Sequence, residues 1–328
     1  MTRVLEGWPA VSVVIPAYNA ADCIVNALAS IALQTWTDHE VIVIDDGSSD
    51  AALLEAAIAP WRSGIRFHRQ QHAGAGAARN RALAMARGRY VAFLDADDEW
   101  TPEFLERQVA VLETRPECDL VWSDGWIRGH AFLTGRRYFD TTGAVDPPSF
   151  RTLLQQTCSV LTSSVVARRG SLLAVRGFDA RIRRGQDWDL WLRMAHNGSV
   201  MAVNPAPMVW RTVRKDTLSG DDVAQLRRAV SVLVGIPRKL RLDTTELGLV
   251  HDRLVRLGMQ LDLELGKQAL RSGDIALAQA HFAHSRTSGS WKLRCVALAL
   301  RVAPTLVRRT YLRSRPDGHT RPDVTSAA

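Results

Sequence analysis

Between residues 11 and 94 the chain alternates short apolar, β-branched runs with stretches of helical spacing. This alternation narrows the fold more than any other feature. The runs are Val11 to Ile15, Glu40 to Ile44, Ile65 to His68 and Tyr90 to Leu94, and between them lie Ala20 to Leu33, Asp50 to Ala59 and Gly76 to Arg87. Strand and helix in turn predict a parallel sheet built from right-handed β-α-β units. In such sheets ligands bind beyond the carboxyl ends of the strands. Every one of those exits is polar or glycine-rich: Pro16-Ala17-Tyr18-Asn19, Asp45-Asp46-Gly47-Ser48-Ser49-Asp50, His72-Ala73-Gly74-Ala75-Gly76 and Asp95-Ala96-Asp97-Asp98.

The last exit is the most demanding. A buried apolar strand that releases three carboxylates together creates mutual repulsion, which a cation or basic group must offset unless the turn is simply solvated. Hard oxygen ligands favour Mg²⁺ or Mn²⁺, ions that commonly hold a phosphate as well. The other exits also have structural readings. Asp-Gly-Ser-Ser-Asp is good turn and helix-cap chemistry, and Gly74 and Gly76 lack the spacing of a dinucleotide fingerprint.

From Asp119 to Arg211 the pattern is less regular and rich in aromatics, with Trp122, Trp126, Trp188, Trp191 and Trp210 expected mainly in the core. Gly177-Phe178-Asp179 is followed by Gly185-Gln186-Asp187-Trp188-Asp189-Leu190-Trp191-Leu192-Arg193, which reads as a helix presenting Asp187 at its N-terminus. A capping carboxylate there would gain about 0.3 to 1 kcal/mol from the helix dipole.

At 328 residues and 46% hydrophobic, the chain can bury a large core and an appendage. Cys23, Cys118, Cys158 and Cys295 are scattered without a C-x-x-C pair, which argues against a zinc site or disulfide framework and for a reducing compartment. The first ten residues lack a leader's apolar core, and no apolar stretch approaches the ~18 residues of a membrane span, so a cytoplasmic location is expected. The net charge of +8 is unevenly divided: residues 1–210 carry 21 Lys+Arg against 23 Asp+Glu, and residues 211–328 carry 21 against 11.

As an ordered set, Val-Ile-Pro-Ala-Tyr-Asn, Asp-Asp-Gly-Ser-Ser-Asp, Ala-Ala-Arg-Asn at 77–80, Leu-Asp-Ala-Asp-Asp, Gly-Phe-Asp and Gln-Asp-Trp-Asp-Leu-Trp resemble the inverting family-2 glycosyltransferases. The resemblance runs from about Val11 to Arg211 and implies the α/β GT-A fold, a mostly parallel sheet flanked by helices. By similarity, Pro16, Ala17 and Tyr18 line the nucleotide pocket, Asp46 hydrogen-bonds the base, and Arg79 sits beside the base or phosphates. Asp95, Ala96 and Asp97 form the D-x-D element with Asp97 as the direct Mn²⁺ or Mg²⁺ ligand, Asp187 is the catalytic base, and Gln186 and Trp188 lie on the acceptor side. Many members carry Glu where this chain has Gln186, a neutral replacement expected to affect acceptor choice more than activity. The implied donor is a nucleotide sugar, UDP-linked, and the acceptor a cell-surface glycan or its lipid-linked precursor.

The resemblance fades beyond about Lys215, which predicts a catalytic domain over 1–214, an α-helical C-terminal extension over 215–316 and a disordered tail over 317–328. Leu265-Gly266, Ala269, Gly273, Ala278 and Phe282 have the spacing of one tetratricopeptide-like helix pair, but a single copy favours a helical cap. From Arg286 nine Lys or Arg face two Asp, with interspersed apolar residues and Pro304 as an interruption. Basic amphipathic helices suit an anionic membrane surface, whereas nucleic acid is disfavoured because no recognition module accompanies the charge. The rival readings are a catalytically silent nucleotide-sugar-binding adaptor and a sugar-phosphate nucleotidyltransferase. The latter should show a Gly-rich, basic phosphate loop after the first strand, and Pro16-Ala17-Tyr18-Asn19 does not supply one.

Overall fold

The computed structural model of the protein describes residues 7–129, 132–142, 148–213, 222–284 and 291–314, so the expected tail from Asp317 lies outside the described residues. These residues divide into two units. The first takes in residues up to 217 and also 235–249, and the second takes in 218–234 and 250 onward.

The first unit is built on one eight-stranded sheet: β1 (Val11–Ala17), β2 (His39–Asp45), β3 (Ile65–Arg69), β4 (Tyr90–Phe93), β5 (Glu99–Trp100), β6 (Cys118–Arg128), β7 (Val166–Arg168) and β8 (Val200–Thr212). Their spatial order is β3-β2-β1-β4-β7-β6-β8-β5. The first four strands are parallel, as the alternating pattern predicts, with α1 (Ile24–Ala32), α2 (Ala51–Ile58) and α3 (Ala75–Met85) as crossovers. Because β1, β2 and β4 are covered on both faces, Val13, Val14, Ile15, Ile42, Val43, Val91 and Phe93 are all fully buried. Their sequence is accordingly a continuous apolar run rather than an alternation.

Strand order turns back at β1, which has β2 on one side and β4 on the other. This switch point opens a crevice beyond the carboxyl ends of β1 and β4. Past it the sheet becomes mixed: β7 runs antiparallel to both β4 and β6, and β8 runs parallel to β6. Two boundaries differ from expectation. β1 continues through Pro16 and Ala17, paired with Ile44 and Asp45, so these residues belong to strands rather than exits. The β1–β4 pairing has already ended at Val14–Phe93, leaving β1 one neighbour where the residue without an N–H sits. Of the five tryptophans expected in the core, Trp122 and Trp191 are fully buried, while Trp126 and Trp210 stack on each other at 6.2 Å and Trp210 is 38% exposed.

The remaining helices of the described chain are α4 (Phe104–Thr114), α5 (Tyr138–Thr142), α6 (Phe150–Gln155), α7 (Arg169–Ala174), α8 (Gln186–His196), α9 (Asp222–Lys239), α10 (Thr244–Ser272), α11 (Ile275–His284), α12 (Trp291–Val302) and α13 (Pro304–Ser314). The second unit has its own small core of Ala269, Leu270, Ala278, Phe282, Ala297 and Leu300. The helix-pair spacing finds its reason there. The Phe282 ring lies so close to Gly266 that a Cβ would meet it at 2.8 Å. Pro304 interrupts the basic segment as expected and starts α13. No helix among the described residues is long and apolar enough to cross a membrane.

Candidate active site

The crevice at the switch point holds a cavity of about 190 Å³ lined by Asp95, Asp97, Asp98, Tyr138, Val160, Leu161, Thr162, Asp187, Arg211 and Thr212. Two distant sequence elements supply its acids: the exit of β4 gives the first three, and the first turn of α8 gives Asp187. Helix α8 starts at this place for local reasons. Gly185 precedes it in a left-handed conformation, Asp187 and Asp189 occupy its first turn, and Arg193 and His196 occupy its last, so charge follows the helix dipole at both ends.

Each acid has a distinct surrounding. Arg79, itself buried, forms an ion pair with Asp95, and its guanidinium lies over the Phe178 ring at 5.4 Å. Asp98 is buried, and its Oδ1 accepts from Thr212 N at 2.8 Å. Burial pushes its carboxyl up to about 8, with the charges of Asp95 and Asp97 adding to the effect. Asp187 Oδ2 accepts from Thr162 Oγ1 at 3.0 Å, and Oδ1 accepts from Trp188 N at 2.8 Å. Among the described residues no group of three or more His, Cys, Asp or Glu converges as a ready-made metal cage.

Beneath the acids runs a scaffold of hydrogen bonds. Asn80 Nδ2 donates to Phe178 O at 2.7 Å while Phe178 N donates to Asn80 Oδ1 at 2.8 Å. Phe178 then meets Phe93 edge-on at 5.4 Å. On α8, Arg193 donates to Asp189 Oδ2 at 2.8 Å and to Gly177 O at 2.7 Å. Lys239 pairs with both Asp179, at 2.8 Å, and Asp189. Arg181 and Lys239 hold the Asp179 carboxyl well below the usual carboxylate range.

At the other end of the crevice, Tyr18 is half-exposed and its ring lies 4.4 Å from that of His72. Asp46 is buried. Its Oδ1 accepts from Gln70 Nε2 at 2.7 Å and Ala73 N at 2.9 Å, and its Oδ2 accepts from Gly74 N at 2.7 Å, while His72 Nδ1 is hydrogen-bonded to the Asp46 backbone O at 3.1 Å and lies 3.0 Å from Oδ2. The loop before α3 therefore fills three of the roughly four acceptor places of this carboxylate.

Residues 12–160 match the model of the glycosyl transferase family 2. The chain carries a family-2 glycosyltransferase domain. It is similar to the amylovoran biosynthesis glycosyltransferase AmsB of Erwinia amylovora, at 34% identity over 56% of this chain and 62% of that protein. It is also similar to the Escherichia coli UDP-Glc:alpha-D-GlcNAc-diphosphoundecaprenol beta-1,3-glucosyltransferase WfgD, at 28% identity over 68% of this chain and 85% of that one. The chain spans 31% to 62% of the length of the first curated relatives it matches. Two solved structures share the GT-A fold. S. aureus TarS 1–349 with UDP-GlcNAc has a TM-score of 0.57 at 21% identity, over 93% of this chain and 90% of that one. The mannosyltransferase PcManGT of Pyrobaculum calidifontis with GDP-Man and Mn²⁺ has a TM-score of 0.59 at 19% identity, over 94% and 84%.

Within this glycosyltransferase domain, the structure brings Asp95, Asp97 and Asp187 to one cavity and leaves other expected site residues outside its lining. Pro16 and Ala17 lie in β1, and Ala96 is buried between the two aspartates. Gln186 is buried with its side chain packed on Gly76, and its Oε1 has no hydrogen-bond partner. Trp188 turns toward α6 and donates its indole N–H to Leu153 O at 2.8 Å. Thr162, Tyr138 and Arg211 line the cavity although no motif flagged them as site residues. Arg211 is held over the Tyr138 ring at 5.2 Å, and only strand and loop geometry brings these residues together.

Proposed function

We propose that the chain is an inverting glycosyltransferase that moves a sugar from a UDP-linked donor to a glycan or lipid-linked glycan acceptor, with Asp187 as general base. The observation that carries the reading is the single cavity shared by the D-x-D carboxylates and the carboxylate at the start of α8. A single displacement needs those two functions on opposite sides of one anomeric carbon. Asp187 takes the proton of the acceptor hydroxyl as its oxygen attacks, and the diphosphate departs toward Asp97.

A divalent ion suits this donor set. Mg²⁺ and Mn²⁺ are held by one or two carboxylates together with substrate phosphates rather than by an all-protein cage. Asp97, with Asp95 beside it, would be that protein share. When bound, the ion supplies electrostatic stabilisation of the departing diphosphate. Tyr18, Pro16, Ala17 and Asp46 shape the nucleoside end, Arg79 keeps Asp95 in place, and Gln186 and Trp188 support the acceptor side by fixing the start of α8.

A lipid-linked acceptor is supported by the acceptor for which WfgD is named. The described C-terminal helices add a membrane-surface contact. Leu298, Val302 and Leu306 are exposed on α12 and α13, with Arg301 and Arg309 exposed among them. Apolar side chains flanked by arginines are what an anionic bilayer surface binds.

Nucleotide release from a panel of nucleotide sugars, measured with Mn²⁺ or EDTA and with acceptor lipid extract, tests the reading. Metal-dependent release from one donor that disappears in Asp97→Ala and Asp187→Ala supports it. Donor binding without release under all these conditions would overturn it in favour of a silent adaptor.

A further inference from the structure

We propose that Trp210, backed by Trp126, is a stacking platform for an acceptor sugar one unit removed from the reacting hydroxyl, so that the acceptor is a glycan of at least two sugars. The inference rests on the glycosyltransferase reading above and deepens it by naming the class of acceptor.

An inverting displacement dictates where the acceptor comes from. Its hydroxyl enters on the side of the anomeric carbon opposite the leaving diphosphate. With the nucleoside end at the exits of β1 and β2 and Asp97 just past β4, that approach is from the other half of the sheet, whose order beyond β4 is β7-β6-β8-β5. Trp210 stands there, paired with Trp126 of β6 on one side and Glu99 of β5 on the other. Directly paired residues of neighbouring strands share a face, so these three lie on one side of the sheet. Two residues further along, Arg128 and Thr212 join them on it. Thr212 also lines the cavity that holds the carboxylates, so the platform continues straight from the site. Trp210 and Thr212 are about 6.6 Å apart along the strand, a distance comparable with the length of one sugar ring.

The chemistry of this face is that of a sugar site. The two indoles are inclined at 28° with centroids 6.2 Å apart, an offset pair in which half-buried Trp126 supports exposed Trp210. The electron-rich face of an indole attracts the partly positive C–H groups on the apolar side of a pyranose. The hydroxyls at the pyranose rim need polar neighbours, and Arg128 and Glu99 supply them as an ion pair, with Arg128 Nε also donating to Thr212 Oγ1 at 3.0 Å. Glu99, Arg128 and Thr212 thus border the rings with polar groups. A stable protein partner needs about 800 Å² on each side, and two indoles of about 150 to 250 Å² each fall well short of it.

The test is calorimetric binding of chitohexaose, cellohexaose and xylohexaose, and of their monosaccharides, to the full chain with UDP and Mn²⁺. Stacking tolerates different sugars because every pyranose offers a C–H face. At least one hexasaccharide should therefore bind roughly 10-fold more tightly than its monosaccharide. Trp210→Ala should lower that hexasaccharide's affinity roughly 10-fold, and Trp210→Phe should keep part of it. Trp126→Ala, which removes the backing ring, should weaken it severalfold. UDP affinity equal to that of the wild type reports an intact fold in each variant. A Trp210→Ala protein that binds the hexasaccharide as the wild type does would overturn the inference and leave the glycosyltransferase reading standing. So would a wild-type chain that binds UDP but none of the hexasaccharides. A wild-type chain that binds no nucleoside diphosphate would instead bring down the glycosyltransferase reading and this inference with it.

Discussion

Thr162 Oγ1 donates to Asp187 Oδ2 at 3.0 Å, which joins the loop before β7 to the first turn of α8. The bond aims the carboxylate oxygen of the proposed base. Thr162→Val should lower kcat roughly 5- to 10-fold, the worth of one hydrogen bond, with donor affinity unchanged. Asp187→Asn should lower kcat about 100-fold or more because no proton acceptor remains. Steady-state kinetics beside donor calorimetry separates the two effects.

Asp179 should make stability fade in acid. Arg181 and Lys239 depress its carboxyl in the folded chain. Because the folded value lies below the unfolded one, the contribution is complete above about pH 4 and is lost as pH falls through the depressed value. Lys239→Met should cost about 2 kcal/mol at pH 7, and the gap from wild type in urea melts should narrow on acidification. A gap that is constant with pH would separate Lys239 from this carboxylate.

Mn²⁺ should raise the melting temperature of the wild-type chain in the presence of UDP, since binding to the folded state alone stabilises it. Asp97→Asn should abolish most of the shift, and EDTA should reverse it in the wild type. An equal shift in both proteins would remove Asp97 from the metal site.

Gly177→Ala should destabilise the first unit by about 1 to 3 kcal/mol. The residue has φ +62°, and a Cβ there would lie 2.5 Å from Asn80 Oδ1, inside the clip that holds Phe178. Chemical denaturation measures the loss directly.

Vesicle co-sedimentation tests the second unit. The full chain should bind vesicles rich in phosphatidylglycerol and release from them in salt, and Leu298→Ser with Val302→Ser should weaken binding severalfold. Equal binding by the double variant would disconnect the exposed residues of α12 from the membrane.

Much of the catalytic half was legible because its signals are local. Four strand-like runs, those of β1, β2 and β4 apolar enough to be buried on both faces, fixed the parallel half of the sheet, and the polar exits marked the crevice. Asp97 and Asp187 stand on element ends that sequence spacing locates well. Tyr138, Thr162 and Arg211 were not legible because they come from α5, the turn before β7 and the end of β8, where the sequence has no clear period, and they meet only through the mixed half of the sheet. Asp46 shows a different limit: the resemblance assigned it to the base, but nothing in the sequence announced that Gln70, Ala73 and Gly74 of the following loop would donate to its oxygens. The return of residues 235–249 to the first unit was equally hidden, since Lys239 is one basic residue among many until Asp179 and Asp189 face it.

That return bears on how such enzymes can be recombined. A chimera that joins the family-matched region to another protein's C-terminal part immediately after β8 would discard Lys239 and leave Asp189, two residues from Asp187, buried with Arg193 as its remaining cation partner. Exchange of C-terminal regions between relatives of unequal length is therefore expected to succeed when the crossover falls after residue 249 rather than at the end of the sheet.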